Sequence, residues 1–178
     1  MIKPCICGIA MSMTAQLLPL AATAASTLQD SVDEINRSLP ALHPVTWVAP
    51  AEKVKVVVFI DNQCSYCSDV VKKVEKYNDA GITMSFLTVA PEYIKDDVIS
   101  DMARVWCSDD PKASLRKAMA GFLPDNDSTA ECVKLVEQQS ELADRMGVEA
   151  MPTMVVMSSP PRVILGNVKP EFILHGAL

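Results

Sequence analysis

Only two histidines occur in the 178 residues, His43 and His175, and they lie in unrelated segments. A zinc site built on Cys64 and Cys67 needs a second ligand pair, and Cys107 and Cys132 are far apart and lone, so the usual four-ligand patterns are missing. A c-type haem site needs His directly after its second cysteine, and position 68 is Ser. The charge balance is acidic, -6 overall, with no basic stripe of the kind that tracks a phosphate backbone, which excludes nucleic acid as a partner. Nothing marks a second domain: the length suits one, and 49% apolar residues are ample for its core.

What the chain does have is concentrated between Val56 and Val74. The apolar, β-branched run Val56-Val57-Val58-Phe59-Ile60 stops at Asp61-Asn62-Gln63, and Val70, Val71, Val74 and Tyr77 follow at helical spacing. This order predicts a strand, a short turn and an amphipathic helix, with Cys64 at the very start of the helix and Cys67 one turn further in. Free N–H groups and the positive dipole end of a helix stabilise an anion, so Cys64 is the expected thiolate nucleophile. Cys67 is placed to attack the mixed disulfide that Cys64 forms and to release the partner. Ser65 and Tyr66 between them carry no charge and no imidazole, which removes a strong stabiliser of the thiolate and argues against a potent oxidase.

Four separated segments carry a resemblance. Phe59-Ile60-Asp61-Asn62-Gln63-Cys64-Ser65-Tyr66-Cys67, Lys76 to Thr83, Met102-Ala103-Arg104-Val105-Trp106-Cys107 and Met119-Ala120-Gly121 resemble, in this order, the catalytic domain of the disulfide isomerases DsbC and DsbG. The similarity runs from about residue 50 to 175. It implies an α/β, thioredoxin-like fold with a mixed sheet and a helical insertion at about 92–146, thiol–disulfide exchange without metal or organic cofactor, and a periplasmic location. The implied partners are disulfide-containing exported proteins and a membrane electron donor of the DsbD kind. The resemblance also implies a cis Pro152 facing the cysteine pair, with the backbone of Met151 beside Cys64 to receive an extended peptide. Met151, Pro152, Ser65 and Tyr66 are therefore the expected substrate-binding residues. Family members usually carry Thr before this proline, whereas Met151 is bulkier and offers no hydroxyl.

At the beginning of the chain, Lys3, an apolar stretch through Leu17, Leu18 and Leu20, and small residues from Ala21 to Ser26 read as a cleaved secretory signal over residues 1–25. No lipoprotein cleavage pattern precedes Cys5 or Cys7, which are expected to leave with it. Residues 26–50 are expected to be an N-terminal helix and linker, with Leu28, Val32, Ile35 and Leu39 on one face and Pro40 ending the helix. The family's isomerases carry a longer dimerisation region here, which leaves monomer and homodimer both open.

Four cysteines remain beyond the signal, and four permit three pairings. Pairing Cys64 with Cys67 leaves Cys107 with Cys132, the arrangement the resemblance implies. Bridging residues 107 and 132 closes a loop worth about 3 to 4 kcal/mol in chain entropy, so this pair is read as structural. Ser128-Thr129-Ala130-Glu131 matches a capping box that opens a long helix. Ile82 to Val89 and Arg162 to Leu165 read as strands, with Ser158-Ser159-Pro160-Pro161 as a hairpin turn and a short helix from Lys169. Three activities fit these features: a disulfide isomerase or reductase, a monomeric oxidase or dedicated maturation factor of a secretion or pilus system, and a redox-independent chaperone.

Overall fold

The computed structural model describes residues 23–176, with side chains from residue 28 onward. The expected signal peptide, apart from its last three positions, lies outside the described residues. Five strands form one sheet: β1 (Val45–Trp47), β2 (Val54–Ile60), β3 (Ile82–Thr88), β4 (Thr153–Val156) and β5 (Arg162–Leu165), in the order β1-β3-β2-β4-β5. β2 runs parallel to β3 and antiparallel to β4, so the sheet is mixed. This is the thioredoxin-like α/β fold.

The continuous apolar run of β2 follows from its central place, since both of its faces are covered. Val56, Val58 and Ile60 point to one side and pack with Met84, Phe86, Met154 and Val156. The helices on that side include α2 (Ser65–Lys72), α3 (Val74–Asp79), α4 (Lys95–Trp106), α5 (Pro111–Ala118) and α7 (Pro170–His175). Val57 and Phe59 point to the other side, where α1 (Thr23–Leu42) and α6 (Ala130–Arg145) cover the sheet through Val32, Ile35, Leu142 and Ala143. A 3-10 turn at Glu92–Ile94 leads into α4, and α4, α5 and α6 lie between β3 and β4.

Several local readings need correction. Helix α1 does not stop at Pro40 but continues to Leu42. Pro40 gives up its N–H bond and crowds the carbonyl one turn back, and the carbonyls beyond it are held from outside. Gln139 Nε2 donates to Leu42 O at 2.8 Å, and Trp106 Nε1 donates to His43 O at 2.9 Å. His43 then turns the chain with φ of 44°. The sheet also begins before residue 51, because Val45-Thr46-Trp47 forms an edge strand against β3. The segment 26–50 is therefore part of the packed domain. The helix after Cys64 is interrupted at Lys73 (φ -105°, ψ 13°), whose N–H reaches back to Val70 O. The cap of α6 is Thr129, one residue later than the capping box suggests. Its hydroxyl accepts the Cys132 N–H at 3.3 Å, while its own N–H donates to Cys107 Sγ, so the disulfide and the cap hold each other in place.

Gly81, at φ of 95°, closes the β2–α2–α3–β3 unit where a side chain would not fit: a Cβ there would meet Ala51 O at 2.7 Å.

Gln139, fully buried on α6, ties three elements together by accepting the Thr88 N–H at 2.9 Å and donating to Leu42 O. Gln139→Met keeps the volume but strands both backbone groups, so we expect urea unfolding to show a loss of about 2 to 4 kcal/mol. A loss below about 0.5 kcal/mol would mean that these bonds do not hold the end of α1.

Candidate active site

Strand β2 delivers the chain to the site through a buried turn. Asp61, 2% exposed, accepts the Gln63 N–H on its carboxylate at 2.7 Å. Asn62 donates its amide to Asp101 of α4 at 2.7 Å, which ties the turn to the helical insertion. The next residue, Cys64, is the N-cap of α2 with extended backbone (φ -86°, ψ 112°). Its sulfur accepts the Cys67 N–H at 3.2 Å, the role a Ser or Asp oxygen usually plays at this position.

The two cysteines differ in access. Cys64 is half-buried, and Cys67 is fully buried against the sheet. Their sulfurs lie 2.6 Å apart, so bond formation needs only a small movement. Burial pushes the Cys67 thiol strongly up, and the hydrogen bond to Cys64 adds to that, against a backbone hydrogen bond with Asp61 that pulls the other way. Asp61 is itself raised, chiefly by burial, against the opposing pull of the Gln63 and Cys64 backbone bonds. One turn into α2, Ser68 donates to Met119 O at 2.5 Å and so anchors the helix to the end of α5.

The residues expected around the cysteines gather as follows. The Met151–Pro152 peptide bond is cis. Cys64 Sγ lies 3.6 Å from Met151 O, so the loop ahead of β4 reaches the sulfur through its backbone. Thr153 holds that loop by donating its hydroxyl to Ala150 O at 2.6 Å. Ser65 and Tyr66 are exposed, Tyr66 by two thirds, and face solvent from the first turn of α2. Cys107 and Cys132 are bonded (S–S 2.03 Å) and join the end of α4 to the first turn of α6. Among the described residues no group of three His, Cys, Asp or Glu is arranged to hold a metal, and no helix is long and apolar enough to cross a membrane.

Three contributors were not singled out from the sequence: Asp61, the Asn62–Asp101 pair and Ser68. Only Asp61 left a signal there, a carboxylate set directly after the apolar run Val56 to Ile60. The other two depend on contacts 39 and 51 positions away.

A sheet of this order with a C-x-x-C cap at the end of its central strand defines a class. The family profile described as a thioredoxin-like domain matches residues 45–174, and the chain belongs to that family. Within it the chain is similar to the thiol:disulfide interchange protein DsbC of Haemophilus influenzae, 31% identical over 144 residues, covering 81% of this chain and 60% of that one. It is also similar to DsbC of Escherichia coli, 28% identical over 112 residues, covering 63% and 46%. The chain thus spans about half to three fifths of the length of such relatives. Among solved structures, a disulfide interchange protein from Neisseria gonorrhoeae superposes with a TM-score of 0.63 at 23% identity, covering 76% of this chain and 96% of that one. The catalytic domain of Proteus mirabilis ScsC gives 0.56 at 19%, covering 79% and 92%. At these identities both show the shared fold.

Asp61 makes stability depend on pH. Its folded-state carboxyl holds a proton to higher pH than in the unfolded chain, so stability falls as pH rises from the ordinary aspartate range through the raised folded value. Asp61→Asn keeps an oxygen for the Gln63 N–H and removes the buried charge. We expect its urea midpoint at pH 7 to exceed that of the wild type, with the gap closing towards pH 3; a variant less stable than wild type at pH 7 would contradict this.

Proposed function

We propose that the protein catalyses thiol–disulfide exchange on exported proteins, as a disulfide isomerase or reductase of the DsbC kind. The observation that carries this reading is a half-exposed Cys64 capping α2, 2.6 Å from a buried Cys67 and 3.6 Å from the Met151 carbonyl oxygen. Similarity to DsbC over most of the chain supports it.

The Cys64 thiolate attacks one sulfur of a substrate disulfide. A Cys64–substrate disulfide forms, and the other substrate sulfur leaves as a thiolate that takes a proton from solvent. Two outcomes follow. In isomerisation a second substrate thiolate attacks the mixed disulfide, a new substrate bond forms, and Cys64 is returned as thiolate with no net oxidation. In reduction Cys67 loses its proton and attacks Cys64 Sγ. The Cys64–Cys67 disulfide forms, the second substrate sulfur is released as a thiol, and two electrons have passed from protein to substrate. Because burial and the hydrogen bond to Cys64 hold Cys67 neutral, its attack on the mixed disulfide waits on the loss of its proton. The raised Asp61 carboxyl is the group beside Cys67 suited to take its proton.

Both roles need a reduced pair, and reduction consumes two electrons per turnover. We therefore assign a membrane electron donor of the DsbD kind as a partner, together with disulfide-containing clients in the periplasm, reached through the signal read over residues 1–25. Met151, Pro152, Ser65 and Tyr66 form the surface that meets the client, with Met151 supplying its backbone. The Cys107–Cys132 bond is the structural one. A homodimer would place two such sites together.

The test uses a scrambled-disulfide polypeptide. We expect Cys67→Ser to accumulate a covalent complex whose peptide map places the client on Cys64, and Cys64→Ser to form none and to lose turnover to background. Exchange at wild-type rate in Cys64→Ser would overturn the assignment. A pair found oxidised in cells by alkylation trapping would move the direction of exchange towards an oxidase.

A further inference from the structure

We propose that a groove beside the cysteine site, between α1 and the β4–β5 hairpin, holds an extended apolar segment of the client polypeptide by adding it to the open edge of β5. This rests on the exchange reading of the Cys64 site and names where the client chain goes beyond it.

The groove is a cavity of about 290 Å³ on the α1 side of the sheet, walled by Leu28 and Ile35 of α1, by Val148, and by Val155, Val163 and Leu165 of the hairpin. Side chains on a strand alternate between faces. Ile164 is buried on the opposite face, while Val163 and Leu165 on the groove side are 48% and 62% exposed. Two apolar residues left open on one strand face, above a concave apolar floor, are the feature to explain.

The backbone of the same two residues is open as well. Gly166 N–H donates to Pro152 O at 2.8 Å, which sets the parity of the β4–β5 ladder. With the register Met154↔Ile164 and Val156↔Arg162, those pairs face each other through hydrogen bonds. The N–H and C=O groups of Val163 and Leu165 therefore point away from β4. β5 ends the sheet, and no other strand pairs with it among the described residues. An extended chain laid along this edge would gain main-chain bonds from both residues and cover their side chains.

Continuity with the site selects the occupant. Val148, Glu149 and Ala150 line the groove and lead directly into Met151, whose carbonyl oxygen lies beside Cys64. Leu165 pairs with Thr153, one residue past Pro152, so the open edge begins at the end of the sheet that carries the cysteines. Met151 packs against the cores on both sides of the sheet and forms the boundary between site and groove. A second copy of the chain fits poorly here: a stable dimer needs roughly 800 Å² from each partner, and this strip offers two exposed apolar side chains on a four-residue strand. A peptide needs no more than that. Glu149 is the charged side chain of the lining, so segments with a basic flank should be preferred.

The experiment measures binding of a reduced, alkylated, fluorescently labelled unfolded polypeptide to the full chain by anisotropy. The probe holds no disulfide, so it reads the groove apart from exchange at Cys64. We expect wild type to bind and Val163→Lys with Leu165→Lys to raise the Kd at least about tenfold, with Val163→Thr and Leu165→Thr, suited to a strand, giving a smaller rise in the same direction. Unchanged affinity in folded variants would overturn the proposal, as would no binding by wild type. So would light scattering that shows a wild-type dimer broken by the same substitutions, because the face would then belong to a second copy. Failure of the Cys67→Ser trap removes the exchange reading whatever the anisotropy shows, and a working trap with unchanged affinity removes only the groove.

Discussion

A helix that follows directly on a buried central strand must find partners for its first N–H groups, and here a sulfur atom supplies one. Cys64 Sγ accepts the Cys67 N–H at 3.2 Å, so the atom proposed as nucleophile is also the cap that starts α2. Much else serves that junction. β2 is packed on both faces and cannot shift. Asp61 and Asn62 fix the turn that leaves it, and Ser68 fixes the helix that follows. The loop before β4 closes the site from the far side, with Met151 O beside the sulfur.

The two cysteine pairs have opposite settings, which suits opposite tasks. Cys64 and Cys67 sit at the end of a strand where one residue is half-buried and the other fully buried. Cys107 and Cys132 tie two helices of the insertion, and the Thr129 cap bonds to the same bridge. That insertion matters to the site at a distance. Asp101, on the helix that ends at Cys107, is the residue that receives Asn62, so holding the insertion together also holds the turn ahead of Cys64.

The sequence made the centre of the fold legible because its signals there are local. Five apolar residues, three polar ones and a helical stripe occupy one continuous stretch, and the cysteines fall at a position that the pattern itself defines. Less legible features depended on distant partners. Pro40 is a sound stop signal in isolation, and only Gln139 and Trp106, far along the chain, explain why α1 continues past it. Strand β1 has three residues between Pro44 and Pro50, too few for a periodicity to register. Ser128 and Thr129 are both good caps, and the bond from Thr129 to Cys107 decides between them. Asp61 read as part of a turn, and its burial beside Cys67 became visible only with the sheet folded over it.

The division proposed between an exchanging pair and a structural pair can be measured by equilibrating the native protein in glutathione buffers of graded potential and mass-tagging the free thiols of each residue. Cys64 and Cys67 are expected to open and close reversibly as a pair while Cys107 and Cys132 stay bonded across the range in which the fold persists. If Cys107–Cys132 opened first, or if Cys64 failed to react with glutathione disulfide in the folded protein, the assignment would be contradicted.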